Sequence, residues 1–170
     1  MPVTGEVEMD ERKRASWFSH KGEVALPHYY KVYLAEYDVV TEIAPTERAA
    51  MFRFTFPDAE SYVVVDAYDR GSSIKVIPEE NKIIGYTTRN SSGVPDNFKN
   101  YFVVVFDKPF TYKATFSNDV KPAKPDASVP VTLKEGKLEQ TDFHTGAVIG
   151  FIFPQLLFAF HHYIILAFPP

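Results

Sequence analysis

The residues best suited to chemistry lie close together near the start of the chain, in residues 16–34. This segment contains Trp17, His20, Glu23 and His28. An imidazole and a carboxylate can move protons or bind a metal ion, and an exposed indole can stack on a flat apolar face. His20 and His28 are separated by eight positions and a proline, so neither a helix nor a strand aligns them. The spacing argues against a metal site that contains both histidines.

The rest of the sequence shows no recognisable catalytic or metal-binding motif. His161 and His162 are adjacent and therefore point to different sides of a strand or helix. The chain has no cysteine, which excludes disulfides, thiol nucleophiles and cysteine-bound zinc. It has no G-x-S-x-G, G-x-G-x-x-G or P-loop sequence. Because 22 residues are acidic, no single pair can be nominated as catalytic carboxylates.

Length, composition and charge narrow the class of protein. The chain has 170 residues, which is the size of one domain with its own core. Its 15 Phe and 10 Tyr favour strands, and 24% charged residues are typical of a globular protein. A net charge of −4 gives no basic surface for a phosphate backbone, so we expect no nucleic-acid partner. The first residues lack the apolar region of a signal peptide.

Short runs rich in Val, Ile, Tyr, Phe and Thr, separated by Pro, Gly, Asn and Asp, predict roughly ten strands. The predicted strands are Tyr29–Leu34, Val39–Ala44, Ala49–Phe56, Tyr62–Tyr68, Ser73–Ile77, Lys82–Thr88, Tyr101–Phe106, Tyr112–Ser117, Val129–Leu133 and Thr145–Phe153. The sequence PEEN, from Pro78 to Asn81, predicts a hairpin turn. Only a helical turn or two, with Thr46 as N-cap, is expected besides the strands.

Two patterns within these strands predict where the core lies. Phe52, Phe54 and Phe56 alternate with polar or less apolar residues and should face the core. The continuous apolar runs YVVVDAY and YFVVVF predict strands that are covered on both faces, which requires a second layer. We therefore predict an all-β fold, an antiparallel β-sandwich.

The last 28 residues differ from the rest, since they contain no Asp, Glu, Lys or Arg. A run of about 20 apolar residues can span a membrane. Pro154, Gln155 and the two adjacent histidines interrupt this run, and no basic residues flank it, so a membrane segment is not expected. We interpret residues 152–170 as a hydrophobic tail that is not native to the fold, produced by a truncation or a frameshift near Phe151. The sandwich would then be incomplete.

The segments FSHKGEVALPHYYKVYL and TEIAPTERAAMFRFTFP resemble the N-terminal domain of glycoside hydrolase family 92, the calcium-dependent exo-α-mannosidases. The residues that match the family pattern are Phe18, Ser19, His20, Glu23, Ala25, Pro27, Tyr29, Tyr30, Val32, Leu34, Thr46, Arg48, Thr55, Phe56 and Pro57. The resemblance covers residues 16–151. Residues 1–15 form a separate N-terminal segment in this interpretation.

The resemblance implies a β-sandwich that packs on an (α/α)6 barrel, with the active site where the two domains meet. Family members hydrolyse α-mannosides of glycans with inversion and with the help of Ca²⁺, and most are exported, so a periplasmic or secreted enzyme is expected. Trp17, His20 and Glu23 are expected to border the sugar cleft, and Arg48 is expected to be structural.

The barrel, which should hold the catalytic acid, the base and most calcium ligands, has no counterpart in this sequence. We therefore predict a fragment that is inactive alone, has no catalytic residue and binds no metal. Two alternatives remain open. They are a stand-alone carbohydrate-binding β-sandwich and a membrane-tethered β-domain.

Overall fold

A computed structural model describes residues 1–8, 10–57, 60–67, 72–89, 93–95, 97–117, 132–134, 145–150 and 160–167, with side chains up to Phe110. The strands among these residues are β1 (Pro2–Thr4), β2 (Val24–Leu26), β3 (Tyr29–Leu34), β4 (Val39–Pro45), β5 (Ala49–Phe56), β6 (Ser61–Asp66), β7 (Ser72–Ile77), β8 (Lys82–Thr87), β9 (Asn100–Phe106), β10 (Thr111–Ser117), β11 (Thr132–Lys134), β12 (Thr145–Gly150) and β13 (Phe160–Ala167).

The strands form two antiparallel sheets. The smaller sheet has the order β1-β6-β12-β10-β11, and the larger has the order β2-β3-β4-β5-β13-β9-β8-β7. Buried side chains from both sheets, among them Val3, Val64, Phe56, Ile74 and Ile83, form one core. The prediction of an all-β, antiparallel sandwich is confirmed.

Strand β5 packs as its alternation predicts. Phe54 and Phe56 are buried and Phe52 is half-buried, and neighbouring rings in this row lie 6.1 Å apart. Met51 points the other way and is exposed. The predicted PEEN hairpin is also present, because a 3₁₀ turn at Pro78–Glu80 joins β7 to β8. The last residue of the PEEN sequence, Asn81, adopts the left-handed conformation with φ 51°, which asparagine tolerates well.

Gly85, on β8, leaves room for a carbonyl group of β7 and for an aromatic ring of β9. A Cβ atom at this position would lie 2.3 Å from the carbonyl oxygen of Ser73 and 2.6 Å from the ring of Phe102. Only glycine therefore fits between β7 and the buried ring on β9.

Two local predictions are wrong. The segment with Thr46 forms a hairpin turn between β4 and β5, in which Thr46 Oγ1 accepts a hydrogen bond from the Ala49 amide (3.0 Å), so it begins no helix. The run YFVVVF is not covered on both faces, because Tyr101 and Val105 on β9 are exposed. In β6, by contrast, Tyr62, Val63 and Val64 are all buried, as predicted.

Three strands have no counterpart in the predicted set, namely β1, β2 and β13. The largest difference is β13, since it lies inside the segment interpreted as a tail foreign to the fold. It pairs with β5 along its whole length and with β9 from Ile164 to Ala167. Residues 160–167 are thus an interior strand of the larger sheet.

Some predictions lie outside the described residues. They concern Tyr68, residues 129–131 and 151–159, and the last three residues. Within the described part of the chain, no helix is long and apolar enough to cross a membrane.

Candidate functional site

The loop that precedes β2 is attached to the turn between β3 and β4. The amide of Ala35 donates a hydrogen bond to the carbonyl oxygen of Trp17 (3.2 Å). The amide of Glu36 donates to the hydroxyl of Ser16 (3.1 Å). These two bonds fix the start of the loop, so the side chains that follow have a defined position on the surface.

His20 and Glu23 meet across a turn that is closed by a hydrogen bond from the Gly22 amide to the Ser19 carbonyl (2.9 Å). His20 Nδ1 lies 2.6 Å from Glu23 Oε1. The hydroxyl of Tyr30 donates to the other carboxylate oxygen, Glu23 Oε2, at 2.8 Å. Both oxygens of Glu23 therefore hold a neighbour in place.

These hydrogen bonds define what Glu23 can do chemically. The contacts from His20 and then from Tyr30 lower the pKa of Glu23, because they stabilise the ionised carboxylate. The same bond raises the pKa of Tyr30. Glu23 is thus an ionised acceptor that orients an imidazole, and it is unsuited to donate a proton at neutral pH.

The side chains around this pair are aromatic and open to solvent. Trp17 is 67% exposed and Phe18 is 42% exposed. The ring of Phe18 meets the ring of His20 edge-on, with centroids 5.1 Å apart. Because Nδ1 of His20 faces Glu23, Nε2 is the atom that an incoming ligand can reach. An oriented imidazole beside exposed rings can bind a hydroxyl-rich ligand through hydrogen bonds and stacking.

Arg48 does not join this group. It lies in the turn between β4 and β5 and is exposed, whereas Trp17, His20 and Glu23 lie in the loop before β2. Among the described side chains, no ion pair involves Arg48. The structure therefore brings His20 and Glu23 together, with Trp17 in the same loop, and leaves Arg48 apart.

A second cluster, which sequence reasoning missed, crosses strands β3, β4 and β5. Tyr29 donates a hydrogen bond to Glu42 Oε1 (2.5 Å), and Arg53 Nε donates to Glu42 Oε2 (2.5 Å). A second Arg53 nitrogen also contacts Glu42, so the ion pair is bidentate. The register places Lys31, Glu42 and Arg53 side by side. Alternating charges on paired strands were the available signal, but the pairing register had to be known to use it.

The Glu42 cluster predicts a specific acid sensitivity. The bonds from Arg53, opposed by burial and aided by Tyr29, lower the pKa of Glu42 from its ordinary value near 4.5 to about 2. A lowered pKa adds stability that is present above pH 4.5 and is lost as the pH falls toward 2. Replacing Glu42 by Gln should therefore lower the free energy of unfolding at pH 7 by about 1–3 kcal/mol, since Arg53 is partly exposed and screened by water.

Urea unfolding of the wild type and of Glu42→Gln at pH 7 and near pH 2 measures this effect. The difference between the two proteins should largely vanish at the lower pH. Glu47→Gln, in the exposed turn of the same hairpin, should change stability little at either pH. A difference for Glu42→Gln that persists in full at low pH would contradict the assignment.

A pocket of about 360 Å³ lies beside the loop, between the first residues of the chain and the β3–β4 turn. Its lining includes Glu6, Glu8, Glu36 and Lys13. Glu36 connects it to the loop, because its amide binds Ser16 Oγ. The excess of carboxylates suits neutral polar groups or cations better than anions.

A match to a family model shows to which protein family the chain belongs. Residues 1–155 match the model described as the glycosyl hydrolase family 92 N-terminal domain. The chain belongs to glycoside hydrolase family 92. The match starts at residue 1 and therefore includes the segment 1–15, in which β1 pairs with β6.

Solved structures of family 92 proteins resemble this chain over nearly its whole length. An inverting mannosidase of family 92 from Bacteroides thetaiotaomicron VPI-5482 is 34% identical, with a TM-score of 0.80 over 99% of this chain. A second family 92 α-mannosidase from Bacteroides thetaiotaomicron is 24% identical, with a TM-score of 0.69 over 98% of this chain. The chain spans 21% and 23% of these two proteins, respectively. No curated protein matches it significantly.

Calcium is the metal that the resemblance to family 92 implies. Calcium needs six to eight oxygen ligands that converge on one point. Among the described residues, no group of three or more histidine or acidic side chains could hold a metal ion. The Glu23 and Glu42 carboxylates are already engaged by protein donors. The described residues therefore do not fit a calcium site.

Proposed function

We propose that this chain is part of the N-terminal sandwich of an α-mannosidase that hydrolyses α-linked mannose in glycans with inversion. The observation that carries the proposal is the 34% identity, over 99% of this chain, to a protein described as an inverting mannosidase. The chain corresponds to about a fifth of that enzyme. The proposal therefore includes a larger remainder that carries the catalytic barrel.

The chain by itself is proposed to be inactive, and the state of Glu23 and Glu42 agrees with this. An inverting glycosidase needs a carboxylic acid with a raised pKa and, roughly 6.5–9.5 Å away, a carboxylate that activates water. Glu23 and Glu42 have lowered pKa values and accept hydrogen bonds with both oxygens. Neither has the raised pKa that the proton donor of such an enzyme needs. We assign the acid, the base and any Ca²⁺ ligands to the remainder, and we expect the complete enzyme to be periplasmic or secreted.

The role proposed for this chain is to border the sugar cleft with the loop that bears Trp17, His20 and Glu23. Glu23 fixes the imidazole of His20, whose Nε2 can then bond to a sugar hydroxyl. Trp17 offers an exposed face on which a sugar ring can stack. Glu23 is a positioning residue in this arrangement, since it acts through His20.

A chimera tests the proposal. Residues 1–167 of this chain replace the matching segment of the Bacteroides thetaiotaomicron inverting mannosidase, and release of mannose from an α-mannoside is followed by NMR. The chimera should release β-mannose first, whereas the 170-residue chain alone should release none. His20→Ala should raise KM about tenfold, as expected for the loss of one hydrogen bond to the substrate. His28→Ala, which changes an exposed histidine in the β2–β3 turn, is the control and should leave KM unchanged.

Three results would count against the proposal. Mannose release by the chain alone would place catalytic groups within it. A folded chimera without activity would remove the mannosidase assignment. Binding of the isolated chain to mannan without any catalytic partner would favour the stand-alone carbohydrate-binding module.

A further inference from the structure

A buried tyrosine in the β3–β4 turn strengthens the attachment of the loop before β2. The hydroxyl of Tyr37 donates a hydrogen bond to the carbonyl oxygen of Arg14 (2.9 Å), and both residues are buried. The amides of Ala35 and Glu36, the two residues before Tyr37, hold the residues that follow Arg14. The turn therefore holds the start of the loop at three successive points along the chain.

The same tyrosine is attached to the smaller sheet. The carbonyl oxygen of Tyr37 accepts a hydrogen bond from the hydroxyl of Thr4 on β1 (3.0 Å). Arg14 forms a buried ion pair with Asp66 at the end of β6 (2.5 Å) and also donates to the carbonyl oxygen of Glu8 (3.1 Å). Strands β1 and β6 pair with each other. Tyr37 and Arg14 thus connect a turn of the larger sheet to the smaller sheet, and the loop begins at this connection.

The side chains that the proposed function places beside the sugar follow directly after this attachment. Trp17 and Phe18 are exposed, and His20 contacts Glu23 and the ring of Phe18. The loop then continues into β2, in which every residue is exposed. An exposed segment gains little rigidity from packing, so its position depends on the hydrogen bonds that attach it. The bond of Tyr37 is buried and is therefore stronger than the same bond in water.

On the basis of the proposed function, we propose that Tyr37 is a positioning residue for sugar binding. It acts through the loop and not by contact with the sugar. By holding residues 14–17 against both sheets, it sets the position from which Trp17 and His20 reach the sugar. A loop that is ordered before the sugar arrives loses less conformational freedom on binding, so the sugar binds more tightly.

Amide hydrogen exchange of the 170-residue chain measures the attachment itself. The amide of Ala35 is the reporter, because its partner is a backbone carbonyl group that no side-chain substitution removes. In Tyr37→Phe this amide should exchange about fivefold faster than in the wild type, since one buried hydrogen bond is lost. Tyr33→Phe is the matched control. It removes a hydroxyl bond to Asp38 in the same hairpin (2.8 Å), and Ala35 should keep its exchange rate.

Kinetics of the chimera with the Bacteroides thetaiotaomicron enzyme measure the effect on the sugar. Tyr37→Phe should raise KM for an α-mannoside about fivefold and leave kcat within about twofold, because it loosens a binding loop and leaves the acid and base in place. Tyr33→Phe should change neither constant. Ser16→Ala should raise KM in the same way. Ser16→Thr, which keeps the hydroxyl that accepts the bond from Glu36, should restore the wild-type KM.

The outcomes separate the positioning role from the proposed function. An active chimera in which Tyr37→Phe and Ser16→Ala leave KM unchanged overturns the positioning role, while the mannosidase assignment stands. An unchanged exchange rate at Ala35 in Tyr37→Phe also overturns it, as does a rise in KM that Tyr33→Phe shares. A folded but inactive wild-type chimera removes the mannosidase assignment and the role in sugar binding with it. Faster exchange at Ala35 together with a raised KM supports the proposal.

Discussion

A chain that ends after Ala159 should fail to fold into a soluble monomer, whereas a chain that ends after Ala167 should keep the wild-type stability. The two differ by β13, which pairs with β5 throughout and with β9 over its second half. Its removal would leave the edges of two interior strands open in the middle of the larger sheet. Open edges of this kind pair with other chains, so aggregation is the expected consequence.

The size of the effect follows from the backbone hydrogen bonds. Each backbone hydrogen bond contributes about 1 kcal/mol net. The hydrogen bonds of β13 to β5 and β9 together therefore contribute a free energy comparable to the total stability of a typical domain, which is about 5–15 kcal/mol. Size-exclusion chromatography and circular dichroism of both truncated chains measure the outcome. A soluble chain ending after Ala159, with the wild-type free energy of unfolding, would restore the interpretation of this segment as a tail without a role.

Elements with local signals were predicted well from the sequence. The bounds of β3 and β5 agree with the prediction, because turn residues and alternation define them within a short window. The β7–β8 hairpin is another example, since Pro78 and Asn81 determine its backbone locally. Thr46 misled the prediction, because a threonine before an acidic residue starts a helix or closes a hairpin turn equally well.

The position of β13 could not be predicted, since its partners are more than fifty residues away in sequence. A run of eight residues without charge is compatible with a buried strand, a tail or part of a membrane segment. Only the pairing with β5 and β9 distinguishes these possibilities. The exposed side of β9 was missed for a related reason, because an apolar run does not tell which of its two faces packs on a second layer.

In the candidate site, too, the sequence predicted some of the contacts and not others. The family pattern singled out His20 and Glu23, and the structure brings them within 2.6 Å of each other. Tyr30 also belongs to the family pattern, but its bond to Glu23 depends on how β2 and β3 pair. The contact between Glu42 and Arg53 depends on register alone, so composition and motifs could not reveal it.

Replacing Asp66 by Asn should lower the free energy of unfolding by about 3–5 kcal/mol, which is the range found when a buried ion pair loses one partner. Arg14 and Asp66 are 4% and 7% exposed, and Arg14 Nη2 lies 2.5 Å from Asp66 Oδ2. The pair attaches the segment before the loop to the end of β6. Without the carboxylate, the guanidinium of Arg14 keeps its charge in a site that excludes water. Urea unfolding of the two proteins at pH 7 measures the difference.

The exposed pair of Glu11 and Arg89, at 3.4 Å, provides the control. Glu11→Gln should change stability by less than about 1 kcal/mol, because water screens charges at the surface. Replacing both partners of the buried pair, with Arg14→Met and Asp66→Asn, should recover part of the loss, since no unpaired charge is then buried. If the double variant is as unstable as the sum of the two single variants, packing rather than charge holds the segment, and the electrostatic explanation fails.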